Sequence, residues 1–450
     1  MIAYDDREVV VEVNRFERSD FDESGLLPTD KSLSHRFLLF AALSQNPVRI
    51  VGLNQGSAVL LLLEALEMLN VEVRRNSKDV SDITVIGSLC QVESGELHHL
   101  NLGPSSAAAR LLLGTLVGLG IEAIIDGDET LRARPFDWIV DPLRAMGGEM
   151  SYLVNDGALP IHVRKGNFSG GGVETRVGSA QAVSALLFAG LSARKPVDVR
   201  YPVFARNHTQ ILASNFGDSV LEENNFVKFR PQSLSVPSLL EVPKDPSAVA
   251  YPAALFWILN REKEEAQFSF DNVCLNPSRL GFFQWMESCG FRYETKVKSV
   301  KSGELVGEIV LCGGGVLHGS DMKSKSLLHS MIDEVPLAVL IACLLPGRSL
   351  FSDLHELTFK ETDRITCTRD LASALGLSVM VEGLNISVNG GQVVIPSDEI
   401  PSFGDHRLSM TAHILLLASR KGGVVKEGFC FKTSFPEFDK YLSYVMPKFL

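Results

Sequence analysis

The fold prediction starts from a polar and charged opening that runs directly into an apolar segment, Lys31-Ser32-Leu33-Ser34-His35-Arg36-Phe37-Leu38-Leu39-Phe40-Ala41-Ala42-Leu43. A helix with almost no polar face is usually buried on all sides. Its free N-terminal N–H groups and the positive end of its dipole can also bind an anion. We therefore predict a buried helix whose first turn carries polar chemistry.

The same arrangement of a polar opening before an apolar run recurs along the chain. The further openings are Ser105–Arg110, Gly178–Gln181, Lys244–Ser247, Ile332–Pro336 and Gly404–Arg407. Repetition of one unit six times predicts a repeat architecture, most simply three units plus three.

Strand-like runs lie between the buried helices. In the first unit they are Val48–Val51, Val71–Val73 and Ile83–Ile86, and a more amphipathic helix is predicted at Ala58–Leu69. Alternation of strands and helices with extra strands predicts an α/β class with mixed sheets. The buried helices are expected inside each domain, with the sheets outside them.

Two domains are expected, with the boundary where the third unit meets the fourth. The strand-like run Val9–Val13 precedes a polar connector through Ser24-Gly25. If this strand belongs to the later domain, the first domain covers residues 29–242 and the second covers 1–28 and 243–450. The chain then crosses twice, near residues 28 and 243, and such a two-strand hinge suits closure over a substrate.

Composition and charge narrow the class of protein. The chain has 450 residues, 45% of them hydrophobic and 22% charged, with a formal net charge of −11. A general nucleic-acid or anionic-membrane binder needs a positive field, so we expect neither partner. The N-terminus lacks a secretory or transit pattern, and no apolar run is long enough to span a membrane. The seven scattered cysteines predict reduced thiols in a cytoplasmic protein, without disulfide or metal roles.

A second charged stretch, Glu356–Ile365, lies between a predicted strand and a predicted helix and contains Lys360-Glu361-Thr362-Asp363-Arg364. Such a run can simply open a solvated helix, with Thr362 or Asp363 as its cap. The other charged openings favour a shared site instead.

Each opening has a structural and a functional interpretation. Lys31, Ser32 and Arg36 offer cations and a hydroxyl to a phosphate or carboxylate, but they also suit a solvated helix start. Ser179 and Gln181 can be simple caps. In Leu131–Pro135, one arginine is expected to be fixed for ligand contact and the other free.

The carboxylates have the same two interpretations. Asp333 and Glu361 border apolar runs, where a raised pKa can suit proton transfer, although most such groups are solvated. His406 and Arg407 can serve acid–base or phosphate roles, although a single histidine is more often structural.

The ordered motifs resemble the 5-enolpyruvylshikimate-3-phosphate (EPSP) synthase family. They are Asp30–Arg36, Arg134-Pro135, Ser179–Gln181, Arg206–Thr209, Ile332–Pro336, Lys360–Arg364, Asp405–Arg407 and Lys432–Pro436. They run in the family's order over nearly the whole chain.

This resemblance implies a two-domain inside-out α/β barrel, in which each domain has three βαβαββ-type units around buried helices. It implies transfer of the enolpyruvyl group of phosphoenolpyruvate to the 5-hydroxyl of shikimate 3-phosphate, on the route to chorismate and aromatic amino acids. No metal or organic cofactor is implied, and a monomer is expected.

The resemblance also assigns site residues. Shikimate 3-phosphate is implied to contact Ser32, Arg36, Ser179, Gln181, Arg206, Asp333 and Lys360. Phosphoenolpyruvate is implied to contact Lys31, Arg134, Arg364, Arg407 and Lys432. Asp333 is implied to accept the hydroxyl proton, and Lys31 or Glu361 to protonate the methylene carbon.

One loop departs from the family pattern. The family usually has Gly-Asn-(Ala/Ser)-Gly-Thr-Ala, whereas this chain has Gly103-Pro104-Ser105-Ser106-Ala107-Ala108. Pro104 removes a side-chain contact and a backbone donor. Ser106 is expected to crowd the phosphoenolpyruvate pocket and to weaken inhibition by glyphosate.

Two alternatives remain open. The first is a related enolpyruvyl transferase with another acceptor, such as UDP-N-acetylglucosamine. It is expected to carry Lys-Asn at the first motif and a cysteine in a later loop, whereas this chain has Lys31-Ser32 and no cysteine between Cys90 and Cys274. The second is a catalytically impaired homologue that binds a phosphorylated ligand or a partner protein. The altered loop favours this alternative, and retention of Asp333, Glu361, His406 and Lys432 opposes it.

Overall fold

A computed structural model of the chain describes residues 2–5, 8–11, 26–87, 89–91, 96–203 and 206–450. Its helices are α1 Lys31–Leu43, α2 Ser57–Met68, α3 Ser106–Leu119, α4 Glu129–Arg132, α5 Asp137–Ala145, α6 Ala180–Ala193, α7 His208–Asn215, α8 Pro246–Leu259, α9 Gly281–Ser288, α10 Lys325–Ser330, α11 Val335–Leu344, α12 Arg364–Ala374, α13 His406–Ala418 and α14 Phe438–Phe449. Short 3-10 helices cover Leu89–Gln91, Pro277–Arg279, Leu354–Phe359 and Gly428–Thr433.

The strands are short and numerous. They are β1 Ile2–Asp5, β2 Glu8–Val11, β3 Val48–Val51, β4 Glu72–Arg75, β5 Ile83–Ile86, β6 His98–Asn101, β7 Ala123–Asp126, β8 Glu149–Tyr152, β9 Ile161–Arg164, β10 Gly171–Glu174, β11 Val197–Arg200, β12 Ser219–Glu223, β13 Phe226–Arg230, β14 Leu239–Glu241, β15 Gln267–Cys274, β16 Arg292–Lys301, β17 Glu304–Cys312, β18 Arg348–Phe351, β19 Met380–Glu382, β20 Asn385–Asn389, β21 Glu399–Pro401 and β22 Gly423–Lys426.

The chain divides into two compact units. Unit I comprises Thr29–Pro243 together with Val300–Glu304, and unit II comprises Met1–Pro28, Lys244–Ser299 and Leu305–Leu450. Each unit is described separately below.

Unit I contains three sheets with one topology. Their strand orders are β14-β3-β5-β4, β6-β7-β9-β8 and β10-β11-β13-β12. In each sheet the first pair is parallel and the other two pairs are antiparallel. The third repeat follows the order strand, buried helix, strand, helix, strand, strand, and the second repeat differs only in having two helices, α4 and α5, after its second strand. The first repeat takes its leading strand, β14, from the end of the unit.

Unit II also contains three sheets, two of three strands and one of four. Two of its sheets have the orders β15-β17-β16 and β18-β20-β19, and the third has the order β1-β2-β22-β21. The N-terminal strand β2 pairs antiparallel with β22, and β21 pairs parallel with β22. The last repeat is therefore completed by strands from the opposite end of the chain.

Three apolar helices lie at the core of each unit: α1, α3 and α6 in unit I, and α8, α11 and α13 in unit II. Nearly every residue of these helices after the first turn is buried. Close packing of α3 on α6 depends on Gly114 and Gly118. A Cβ at Gly114 would lie 2.0 Å from the Ala185 carbonyl oxygen, and one at Gly118 would lie 2.3 Å from that of Ala189.

The predicted α/β class with buried helices inside outer sheets is confirmed. The predicted strands at Val48–Val51 and Ile83–Ile86 coincide with β3 and β5, and the predicted helix Ala58–Leu69 is α2 with its ends shifted by one residue. Glu12, Val13 and the Ser24-Gly25 connector lie outside the described residues. None of the helices in the described segments combines the length and apolar character needed to cross a bilayer.

Candidate functional site

The first turns of the buried helices concentrate the polar residues that the sequence singled out. Asp30, Ser179, Asp245 and Asp405 are the N-caps of α1, α6, α8 and α13, and each side chain accepts a hydrogen bond from a backbone N–H of the first turn. The N-caps of α3 and α11 are Ser105 and Glu334, and their side chains make no such bond. Both of these side chains have other contacts.

Ser105 and Ser106 occupy different environments in the altered loop. The buried Ser105 hydroxyl donates to the Ala58 carbonyl at 2.9 Å. Ser106 is the first residue of α3 and is partly exposed. Ser105 therefore has a structural contact, and Ser106 carries the more accessible hydroxyl of the two.

In unit I, Arg36 links three helices. Its guanidinium, only 4% exposed, donates to the Thr209 hydroxyl through Nε (2.7 Å), to the Ser184 hydroxyl through Nη2 (2.8 Å) and to the Ser32 carbonyl through Nη1 (2.9 Å). Thr209 in turn donates to Ser184 at 2.8 Å. These bonds fix the orientation of the guanidinium before any ligand arrives.

We expect Thr209→Val to destabilise the protein by about 1–3 kcal/mol, because the buried Arg36 and Ser184 groups lose a partner while the side-chain shape is kept. Urea unfolding measures this change. Thr209→Ser is the matched control, since it keeps the hydroxyl and should lose less stability. If the valine variant unfolded at the same urea concentration as the wild type, the network would have no role in stability.

Gln181 is held by Arg110, a charged residue within the apolar helix α3. Arg110 donates through Nη1 to Gln181 Oε1 at 2.7 Å and through Nη2 to the Pro135 carbonyl at 2.9 Å. Its guanidinium carbon lies 4.4 Å from the centre of the Trp138 ring. Arg110 thus connects the opening of α6 with the Arg134-Pro135 turn.

The other predicted residues of unit I lie at helix openings or turns. Lys31 and Ser32 are the first two residues of α1, and Ser179 caps α6. Arg206 precedes α7 and is partly exposed. Of the two arginines in Leu131–Pro135, Arg134 is buried, whereas Arg132 is half-exposed and paired with Asp126.

In unit II, Arg364 is the centre of a charged cluster. The side chain is 1% exposed, and Nε lies 2.7 Å from Asp405 Oδ2. Nη2 donates to Asp405 Oδ1 at 3.1 Å and to Glu361 Oε2 at 2.6 Å, while Nη1 lies 3.5 Å from Asp333 Oδ1. Burial would lower the pKa of Arg364, but the surrounding carboxylates outweigh burial and raise it. By the same pairing, the pKa of Asp405 is lowered although burial opposes the shift.

Lys360 belongs to the same cluster and is the C-cap of the 3-10 helix Leu354–Phe359. Its ammonium lies 2.9 Å from Glu356 Oε1 and 3.4 Å from Asp333 Oδ1. Burial would lower the pKa of Lys360, but Glu356 and Asp333 raise it. Asp333 therefore faces two cations, Lys360 and Arg364.

Arg407 and Lys432 differ from each other in burial. Arg407 is buried, and its Nη1 lies 3.5 Å from Oε1 of Glu334, the residue that follows Asp333 in the sequence. Lys432 is exposed, and its ammonium lies 4.7 Å from the centre of the Phe429 ring. The structure therefore brings Asp333, Lys360, Glu361 and Arg364 together.

Glu361, Asp405 and His406 also place three potential metal donors within 4.8 Å of one another. Both carboxylates already contact the Arg364 guanidinium. Because that positive charge repels a cation, we assign these groups to binding Arg364 rather than a metal.

The sequence predicts no role for Asp405, Glu356, Glu334 or Arg110. Asp405 belongs to the motif Asp405–Arg407, but nothing in the sequence links it to Arg364. The signal for Arg110 is a charge inside an apolar helix, which needs buried partners.

Comparisons with known proteins all indicate the same family. The family model for EPSP synthase (3-phosphoshikimate 1-carboxyvinyltransferase) matches residues 26–442. The 3-phosphoshikimate 1-carboxyvinyltransferase of Chloroflexus aggregans is 30% identical over 92% of this chain and 94% of its own length. The 3-phosphoshikimate 1-carboxyvinyltransferase of Sulfurihydrogenibium sp. is 31% identical over 93% of this chain and 96% of its own length.

A solved structure of EPSP synthase from Acinetobacter baumannii shares the fold, with a TM-score of 0.79 and 26% identity over 92% of this chain and 94% of that one. The family match covers nearly the whole chain, and the curated relatives are covered almost completely. The chain therefore belongs to the EPSP synthase family.

Proposed function

We propose that this enzyme transfers the enolpyruvyl group of phosphoenolpyruvate to the 5-hydroxyl of shikimate 3-phosphate, releasing phosphate, in aromatic amino acid biosynthesis. The observation that carries the proposal is the position of Asp333 between Lys360 and Arg364, at 3.4 Å and 3.5 Å. A carboxylate held in place by two cations can act as a general base. The cations suit anionic substrates.

The substrate contacts are proposed from the family motifs. Shikimate 3-phosphate is assigned to Ser32, Arg36, Ser179, Gln181, Arg206, Asp333 and Lys360. Phosphoenolpyruvate is assigned to Lys31, Arg134, Arg364, Arg407 and Lys432. The fixed orientations of Arg36 and Gln181 support the first set, because a preoriented donor loses less entropy on binding.

The proposed reaction has two steps. The 5-hydroxyl oxygen attacks the central carbon of phosphoenolpyruvate, its proton passes to Asp333, and Lys31 or Glu361 protonates the methylene carbon. The resulting tetrahedral adduct then loses phosphate, a methyl proton returns to the group that donated it, and the vinyl group is restored. The Glu361 carboxylate accepts a hydrogen bond from Arg364 at 2.6 Å, which fixes its position.

Phosphate release from the purified protein tests the proposal. We expect release only when both substrates are present, and we expect Lys31→Ala to lower the rate by about 10²-fold or more, because a proton donor and an anion contact are lost. Lys78→Ala, at an exposed lysine, is the matched control and should keep the wild-type rate.

Other outcomes would identify the alternatives. Release with UDP-N-acetylglucosamine in place of shikimate 3-phosphate would indicate the related transferase. A folded wild type that binds shikimate 3-phosphate without any release would instead indicate a binding homologue, in which Pro104 and Ser106 have impaired the phosphoenolpyruvate pocket.

We also propose that the protein acts as a cytoplasmic monomer that needs no metal or organic cofactor. The structure shows no disulfide in the described part of the chain, and scattered cysteines are usual in a reducing compartment. Light scattering coupled to size-exclusion chromatography measures the oligomeric state directly.

A further inference from the structure

Glu356 has no assigned role, yet both of its carboxylate oxygens contact side-chain nitrogens. Oε1 lies 2.9 Å from Lys360 Nζ, one turn later in the chain. Oε2 lies 3.3 Å from His329 Nδ1, in α10. Glu356 thus connects two separate elements at the edge of the charged cluster.

The second carboxylate that faces Lys360 is Asp333, 3.4 Å from the ammonium. The lysine is therefore shared between the proposed proton acceptor and Glu356. Without Glu356, the ammonium could move fully onto Asp333, where it would be less available to an anionic substrate. The contact with Glu356 opposes that movement.

We infer that Glu356 is a positioning residue for Lys360, and that its carboxylate keeps the ammonium available to an anionic substrate beside Asp333. This inference rests on the proposed function. His329 supports the same arrangement by binding the second oxygen of Glu356, so the carboxylate is held from both sides.

The electrostatics agree with this geometry. Burial opposes ionisation of Glu356, but Lys360 and His329 outweigh it and lower the pKa of Glu356 to about 2. Glu356 is therefore anionic throughout the neutral range. Asp333 also raises the pKa of Lys360, whereas the positive charge of Arg364 lowers it.

The test uses Glu356→Gln, which keeps the side-chain size and removes the charge. We expect the KM for shikimate 3-phosphate to rise about tenfold with a smaller change in kcat, since a partly exposed charged contact is lost. Glu356→Asp should recover part of the loss. Glu382→Gln, at an exposed glutamate, is the matched control and should behave as the wild type.

A second readout does not require turnover. NMR titration of labelled lysines, with Lys360 assigned by its absence in Lys360→Gln, should show a lower Lys360 pKa in Glu356→Gln than in the wild type. A rise in KM without this change in the Lys360 titration would show that Glu356 acts on the fold and not on the ammonium. An unchanged titration, or an unchanged KM in an active enzyme, would overturn the inference. An inactive wild type would instead contradict the proposed function, while the titration would still test the contact.

Discussion

Arg364→Met should destabilise the protein by about 3–5 kcal/mol, the usual cost of removing one partner from a buried ion pair. The methionine fills a similar volume but leaves Asp405, Glu361 and Asp333 without their shared cation. Because Asp405 is fully buried, its charge cannot be compensated by water. Urea unfolding at neutral pH measures the loss. Activity should also fall, since Arg364 is a proposed phosphoenolpyruvate contact.

The sign of the pH dependence follows from the lowered pKa of Asp405. In the wild type this carboxylate contributes stability that is present above its unfolded pKa, about 3.9, and is lost as the pH falls through the lower folded pKa. In Arg364→Met the buried Asp405 carboxylate loses this cation, and burial then favours its protonation. The stability difference between variant and wild type should therefore be largest at neutral pH and should shrink toward pH 4.

Two further variants separate the charge from the geometry. Arg364→Lys keeps the charge but cannot form the two-pronged contact with Asp405, so we expect partial recovery. Arg369→Met, at a half-exposed arginine of the same helix, should change stability by less than about 0.5 kcal/mol. Equal stability losses at both arginines would contradict the central role of Arg364.

The local features of the site were predictable from sequence. A polar opening before an apolar run specifies a capped, buried helix, and Asp363, one of the two predicted caps, does cap α12. Strand boundaries at β3 and β5 follow from β-branched runs. These signals act within a few residues, so a single sequence contains them.

The long-range partners were not predictable in the same way. Arg364 binds Asp405, which is 41 residues later, and Arg110 binds Gln181, which is 71 residues later. Such pairs depend on how close the repeats bring their helix openings, and periodicity alone does not give the distance between two openings. The role of Ser105 was not predictable for the same reason. Its hydroxyl binds the carbonyl of Ala58, which is distant in sequence, and this bond identifies Ser105 as the structural serine of the altered loop.

Asp333→Asn should lower kcat by about 10²–10⁴-fold, because the amide cannot accept the proton of the 5-hydroxyl. The amide keeps the size of the carboxylate and one oxygen that can accept hydrogen bonds from Lys360 and Arg364. Binding of shikimate 3-phosphate should therefore change less than kcat. Steady-state kinetics with both substrates and calorimetric binding of shikimate 3-phosphate separate the two effects.

The matched control is Asp353→Asn, because Asp353 is an exposed carboxylate paired with Lys325. Asparagine tolerates the left-handed backbone at this position, where φ is 60°, so folding should be unaffected. The control should keep the wild-type kcat. Wild-type kcat in Asp333→Asn would show that another group accepts the proton. A loss of shikimate 3-phosphate binding as large as the loss of kcat would show that the two cations need the negative charge of Asp333 to hold their positions, and that its main role is structural.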